Sequence, residues 1–167
     1  MAASSVILVG MPGSGKSTVG VILAKELCYD FIDTDVVIQN REGMNLQDII
    51  NQRGLDAFLA VEEAVILSLD PQGTVVAPGG SVVLSDPAMR HLGRFGSIVF
   101  IDVPLEILMP RIDVYSRGIV KHPEDTLLDV YKRRWPLYRS YADNIIDCGS
   151  MSQVEIARNI AETILLQ

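Results

Sequence analysis

The run Gly10-Met11-Pro12-Gly13-Ser14-Gly15-Lys16-Ser17 constrains this chain more than any other segment. It fills every fixed position of the G-x-x-x-x-G-K-[ST] pattern, the Walker A sequence. The spacing has a geometric reason. Glycines let the backbone curl so that successive N–H groups point at one set of phosphate oxygens. A helix that starts there adds the positive end of its dipole. Lys16 supplies a mobile cation for the outer phosphates, and the Ser17 hydroxyl supplies a ligand for Mg²⁺. The flanks agree. Val6-Ile7-Leu8-Val9 reads as a buried parallel strand, and Val19, Ile22, Leu23 and Leu27 recur at helical spacing. The glycines run G-x-x-G-x-G with a lysine directly after, which is not the dinucleotide fingerprint. Gly10, Pro12, Gly13, Ser14, Gly15, Lys16, Ser17 and Thr18 are the expected phosphate-binding set.

Beyond the loop, strand and helix patterns alternate to the end of the chain. Strands are expected at Phe31–Asp33, Thr74–Ala77, Ser97–Asp102 and Asn144–Asp147. Helices are expected over Ser17–Leu27, Asp35–Asn40, Leu46–Gln52, Ala57–Leu69 and Pro87–Leu92, the last with Asp86 as N-cap. Further helices are expected from Leu105 to Arg111, over Thr126–Tyr141 with a kink at Pro136, and over Ser152–Leu166. This order implies an α/β fold with a parallel sheet covered by helices on both faces. Ligands in such sheets bind beyond the carboxyl ends of the strands. The chemistry is therefore expected after Val9, Ile32, Ala77 and Ile101.

The 167 residues suit one domain spanning 1–167. The formal charge of -7 argues against a general nucleic-acid or anionic-membrane binder, though one cationic pocket can sit on an acidic body. Two cysteines are too few for a disulfide framework, so a reduced, cytoplasmic setting is expected. No stretch nears the roughly 18 apolar residues of a membrane-spanning helix.

With the loop fixed, Asp33-Thr34-Asp35 becomes informative. Together with Gly54-x-x-x-Phe58-x-x-x-Glu62, Gly79-Gly80, Arg117 and Arg134-Trp135-Pro136-Leu137-Tyr138, it resembles the shikimate kinase family over nearly the whole chain. The resemblance implies a three-layer P-loop kinase fold with a five-stranded parallel sheet. It also implies transfer of the γ-phosphate of ATP, with Mg²⁺, to a hydroxyl of a small molecule. A substrate-binding helical segment at about 34–60 and a lid at about 112–125 come with it. By the same resemblance Asp33 acts on Mg²⁺ alongside Ser17, and Asp35 holds the acceptor hydroxyl and takes its proton. Lys16 and Arg117 act on the transferring phosphoryl group, and Arg111 packs on the adenine. Gly79, Gly80, Glu62 and Arg134 face the acceptor. A monomer is expected.

The acceptor half departs from the family pattern. Leu55 stands for a glutamate, Leu59 for an arginine that grips the substrate carboxylate, and Pro78 for a glycine; the lid reads Arg117-Gly118-Ile119-Val120. In the family, the acid matching Glu62 pairs with the arginine that Leu59 replaces. Shikimate is the leading named acceptor. The missing arginine leaves room for a smaller or amine-bearing hydroxy compound whose ammonium would meet Glu62. A gluconate-type or nucleoside monophosphate kinase, and a non-catalytic nucleotide-binding module, also stay open.

Overall fold

The computed structural model describes residues 4–114 and 119–166. The chain runs β1 (Ser5–Val9), α1 (Lys16–Leu27), β2 (Asp30–Asp33), α2 (Thr34–Glu42), α3 (Leu46–Arg53), α4 (Leu55–Leu67) and β3 (Thr74–Ala77). A 3₁₀ turn (Val82–Leu84), α5 (Asp86–Gly93), β4 (Gly96–Asp102), α6 (Leu105–Val114), α7 (Leu127–Tyr141), β5 (Asn144–Asp147) and α8 (Gln153–Leu165) follow. The five strands form one parallel sheet in the order β2-β3-β1-β4-β5. Central β1 pairs with β3 at Val6↔Val75 and with β4 at Val9↔Phe100. Its residues are all buried, as a strand covered on both faces must be.

The main core joins the sheet to α1, α5, α7 and α8 through residues such as Leu8, Leu23, Phe100, Tyr138 and Ile160. A second, smaller cluster ties α2, α3 and α4 together through Ile38, Ile49, Phe58 and Val65, with Val120 added. Leu55 and Leu59 pack partly into it. Helix α2 packs beside β2, and Asp35 of α2 and Leu46 of α3 line a cavity.

The strand expectations hold, two of them to the residue. Helix ends differ where a side chain takes up the first free N–H groups. Thr126 and Ser152 are N-caps rather than helical residues, each closing a capping box with Asp129 or Glu155. Asp86 is not the cap of α5. Ser85 is, its Oγ accepting from the Ala88 N–H at 3.1 Å, while Asp86 binds Arg90 and Tyr141. Helix α4 starts at Leu55, earlier than the apolar spacing placed it, and α6 runs on to Val114. Helix α7 continues through Pro136 as one element. Among the described residues, no helix is long and apolar enough to cross a membrane.

Candidate active site

Loops after β1, β2 and β3 meet at the carboxyl edge of the sheet. They enclose a cavity of about 390 Å³ whose walls include Lys16, Ser17, Asp35, Gly79, Ser81 and Arg134. The Gly10–Ser17 turn forms one side. Gly15 caps α1 at φ 89°, a left-handed conformation that a side chain would strain. A glycine turn that leads straight into the start of α1 fits the phosphates of a nucleotide. Ser14 is buried, and its Oγ has no hydrogen-bond partner among the described residues. Ser17 and Thr18 are exposed at the mouth.

Lys16 is buried, and its Nζ donates to the Gly10 and Met11 carbonyls at 2.9 and 3.0 Å. The amine is thus folded over its own loop. Burial lowers its pKa to about 8, against the pull of Asp35 and Asp33 and with the push of Arg134. A phosphate in the cradle would restore the full charge.

Asp33 does two jobs with its two oxygens. Oδ1 accepts the Asp35 N–H at 3.0 Å and caps α2, while Oδ2 accepts the Ser17 hydroxyl at 2.6 Å. The helix-cap and metal readings of this residue are therefore compatible. Ser17 and Asp33 place two hard oxygens side by side at the phosphate loop, a donor set that fits Mg²⁺. Asp35 turns into the cavity instead. Burial, and then the Asp33 charge, raise its carboxyl to about 6, with Lys16 opposing.

Gly79 explains itself by what surrounds it. A Cβ there would lie 2.7 Å from Glu62 Oε1 and 2.9 Å from Asp35 Oδ1, so two carboxyl groups converge where its side chain would be. Gly80 rests directly on the Pro12 ring, and its carbonyl accepts the Tyr138 hydroxyl at 2.5 Å. Glu62 does not face solvent: it is 3% exposed. It does not line the cavity either, but stands behind Gly79 with its carboxyl against the Ser81 hydroxyl. An ammonium in the cavity would meet Asp35 before Glu62. Ser81 directly follows Pro78-Gly79-Gly80, and its position next to that run is its one signal in the sequence.

Of the basic run Lys132-Arg133-Arg134, only Arg134 points inward. Arg133 forks onto Asp125 at 2.9 and 3.0 Å in the open, and Lys132 is exposed. Arg134 is 3% exposed; its Nη2 donates to the Val120 carbonyl, while Nε and Nη1 have no partner among the described residues. Two buried, unpaired guanidinium nitrogens at a cavity wall call for an anion. Arg111 lies on the other side of the phosphate loop, its Nη1 reaching the Gly13 carbonyl at 3.4 Å. It borders a cavity of about 190 Å³ with Ser14, Cys148, Ser152 and Gln153, next to the loop. Arg117 and part of the expected lid lie outside the described residues. Leu59 is half-buried in the apolar cluster and brings no charge.

A phosphate cradle that opens onto a cavity, with an acidic side chain inside it, is equipment for passing a phosphoryl group from a nucleotide to a small molecule. The class is that of the P-loop phosphotransferases. A family model for shikimate kinase matches residues 12–165. A shikimate kinase of Clostridium botulinum is 35% identical over 150 residues, 88% of this chain and 89% of that protein. The solved shikimate kinase of Acinetobacter baumannii, in complex with shikimate, superposes with a TM-score of 0.88 at 30% identity, covering 98% of this chain and 94% of that one. That of Aquifex aeolicus gives 0.82 at 30% identity, with 96% of each chain covered. The chain belongs to the shikimate kinase family. It is an ATP-dependent phosphotransferase of the shikimate kinase type, and the gluconate-type, nucleoside monophosphate and non-catalytic readings give way to this one.

Proposed function

We propose that the acceptor is a small hydroxy acid whose carboxylate is held by Arg134, with shikimate the first compound to test. The observation that carries this is Arg134 itself, buried at the cavity wall with Nε and Nη1 unpaired. Mg²⁺-ATP supplies the phosphoryl group and spreads its charge. In this reading the Gly10–Thr18 segment holds the phosphates, and Ser17 with Asp33 holds the metal. Lys16 swings from the loop carbonyls to the transferring group. Arg111 covers the base, and Arg117 adds a second cation over the phosphoryl group. Asp35 fixes the acceptor hydroxyl in line and takes its proton, while Gly79 and Gly80 let the acceptor approach the wall closely. Most of the rate comes from positioning and from fixed charge.

Leu59 marks the difference from a site with two carboxylate-gripping arginines. Losing one such charged hydrogen bond costs roughly 1.5–3 kcal/mol, so acceptor affinity rests on Arg134 and backbone N–H groups. The test is acceptor-dependent ADP release with shikimate, other hydroxy acids, amino alcohols and cyclitols. Turnover confined to carboxylate-bearing acceptors is expected. Faster turnover of an amino alcohol or a neutral cyclitol would refute the reading.

A further inference from the structure

Glu62 projects from α4 toward Ser81, whose Oγ lies 2.9 Å from Oε1 and 2.8 Å from Oε2. A hydroxyl carries one hydrogen. Against an ionised carboxylate, Ser81 can only share that hydrogen between two acceptors. Against a neutral carboxyl both contacts become full hydrogen bonds, since Ser81 donates to the carbonyl oxygen and the carboxyl O–H donates back to Oγ. The Ser81 contact therefore serves both states, the carboxylate through one charge-assisted bond and the neutral acid through two; what favours the neutral acid is the burial of Glu62 and the Asp35 carboxyl that converges on the same point beside Gly79. No cation among the described residues bonds to Glu62, and Leu59, on the same helix, packs into the apolar cluster of α2–α4.

The groups that face Glu62 are few. Asp35 on α2 approaches the same point beside Gly79, while Lys16 on α1 and Arg134 on α7 act on Glu62 through their charges. The Tyr138 phenol on α7, raised far above its ordinary value by burial, stays neutral. Burial pushes the Glu62 carboxyl up to about 7; Ser81, Arg134 and Lys16 oppose this, and Asp35 adds to it.

We infer that Glu62 is a positioning residue for acceptor specificity: as a neutral acid it leaves the Arg134 charge whole for the acceptor's carboxylate, and as a carboxylate it draws on that charge and loosens the grip. The inference rests on the hydroxy-acid reading above. It assigns Glu62 an indirect role, through Arg134 and the Gly79–Ser81 wall, in place of contact with the substrate.

The experiment compares the pH dependence of the acceptor KM in the wild-type protein and Glu62→Gln, with shikimate or whichever hydroxy acid the panel selects. Glutamine keeps the shape and stays neutral, so the ratio of the two KM values removes every titration that Glu62 does not influence, and what is left is that of Glu62 with the Asp35 and Lys16 coupled to it. Between pH 6 and 8.5 the wild-type KM is expected to rise about fivefold relative to the variant, the scale of one partly screened unit charge. Parallel profiles overturn the inference and leave the hydroxy-acid reading standing. No turnover of any hydroxy acid by either protein overturns that reading instead. Carbon-13 NMR of the glutamate δ-carboxyls needs neither an acceptor nor a folded variant. One resonance titrating near neutral pH is expected; spectra in which every glutamate is already ionised at pH 6 overturn the inference.

Discussion

On the hydroxy-acid reading, Arg134 and Leu59 divide the acceptor problem between them. Arg134→Lys keeps a charge but loses the planar fork, and lysine carries its own strong hydration. Its acceptor KM should rise about ten- to a hundredfold with little change in the KM for ATP, as read by steady-state kinetics. Leu59→Arg restores the second guanidinium expected of the family. With shikimate as acceptor, KM should fall about tenfold. An unchanged or higher KM would mean that the acceptor's carboxylate does not point toward α4. At this scale the sequence was legible wherever the chemistry is contiguous. Gly10–Ser17 announces a phosphate site because eight neighbouring residues make it. The Glu62–Ser81 pair was not legible, because its members lie 19 residues apart and meet only through the fold. Choosing Arg134 over Arg133 from residues alone needs the helix phase, and Asp125 settles it by drawing Arg133 outward.

Elements are held by small local devices as much as by the core. Helix α8 packs on α1, the helix that carries the phosphate loop at its start. Its own start is tied by Ser152, which accepts the Glu155 N–H at 3.3 Å, and by Glu155, which accepts the Ser152 N–H at 2.7 Å. Ser152→Ala should cost about 1 kcal/mol, read from urea denaturation. The amphipathic pattern over Ser152–Leu166 makes this helix legible in the sequence, as alternation of strand and helix makes the sheet legible. Helix starts were less legible. In Ser85-Asp86-Pro87 two residues can cap, and only backbone geometry decides for Ser85. The 3₁₀ turn after Ser81 has no periodicity to reveal it. The standing of α2–α4 as a separate apolar cluster depends on long-range packing with Val120 that no local pattern encodes.

Across the whole molecule, the site works against stability in a pH-dependent way. Glu62, ordinarily near 4.5, is raised to about 7, and Asp35, ordinarily near 3.8, to about 6. Folded protein binds more protons than unfolded between those values, so stability falls as pH rises through each window. Lys16 does the opposite. Its pKa drops from 10.5 to about 8, so the unfolded chain binds more protons there and stability rises again as pH climbs past 8. In nucleotide-free protein these groups together set a trough between pH 7 and 8. Glu62→Gln should raise stability by about 2–3 kcal/mol at pH 8 and by almost nothing at pH 4, as measured by urea denaturation. Equal changes at both pH values would refute this account. The trough is a cost borne by a site that keeps charged groups out of water until its ligands arrive. One contact sets a rule for anyone rebuilding the site. The acceptor wall touches the nucleotide loop bare, Gly80 on Pro12, with no side chain between as a shim. The two halves are not interchangeable cassettes: a wall transplanted from a relative has to travel with the loop proline it was fitted to.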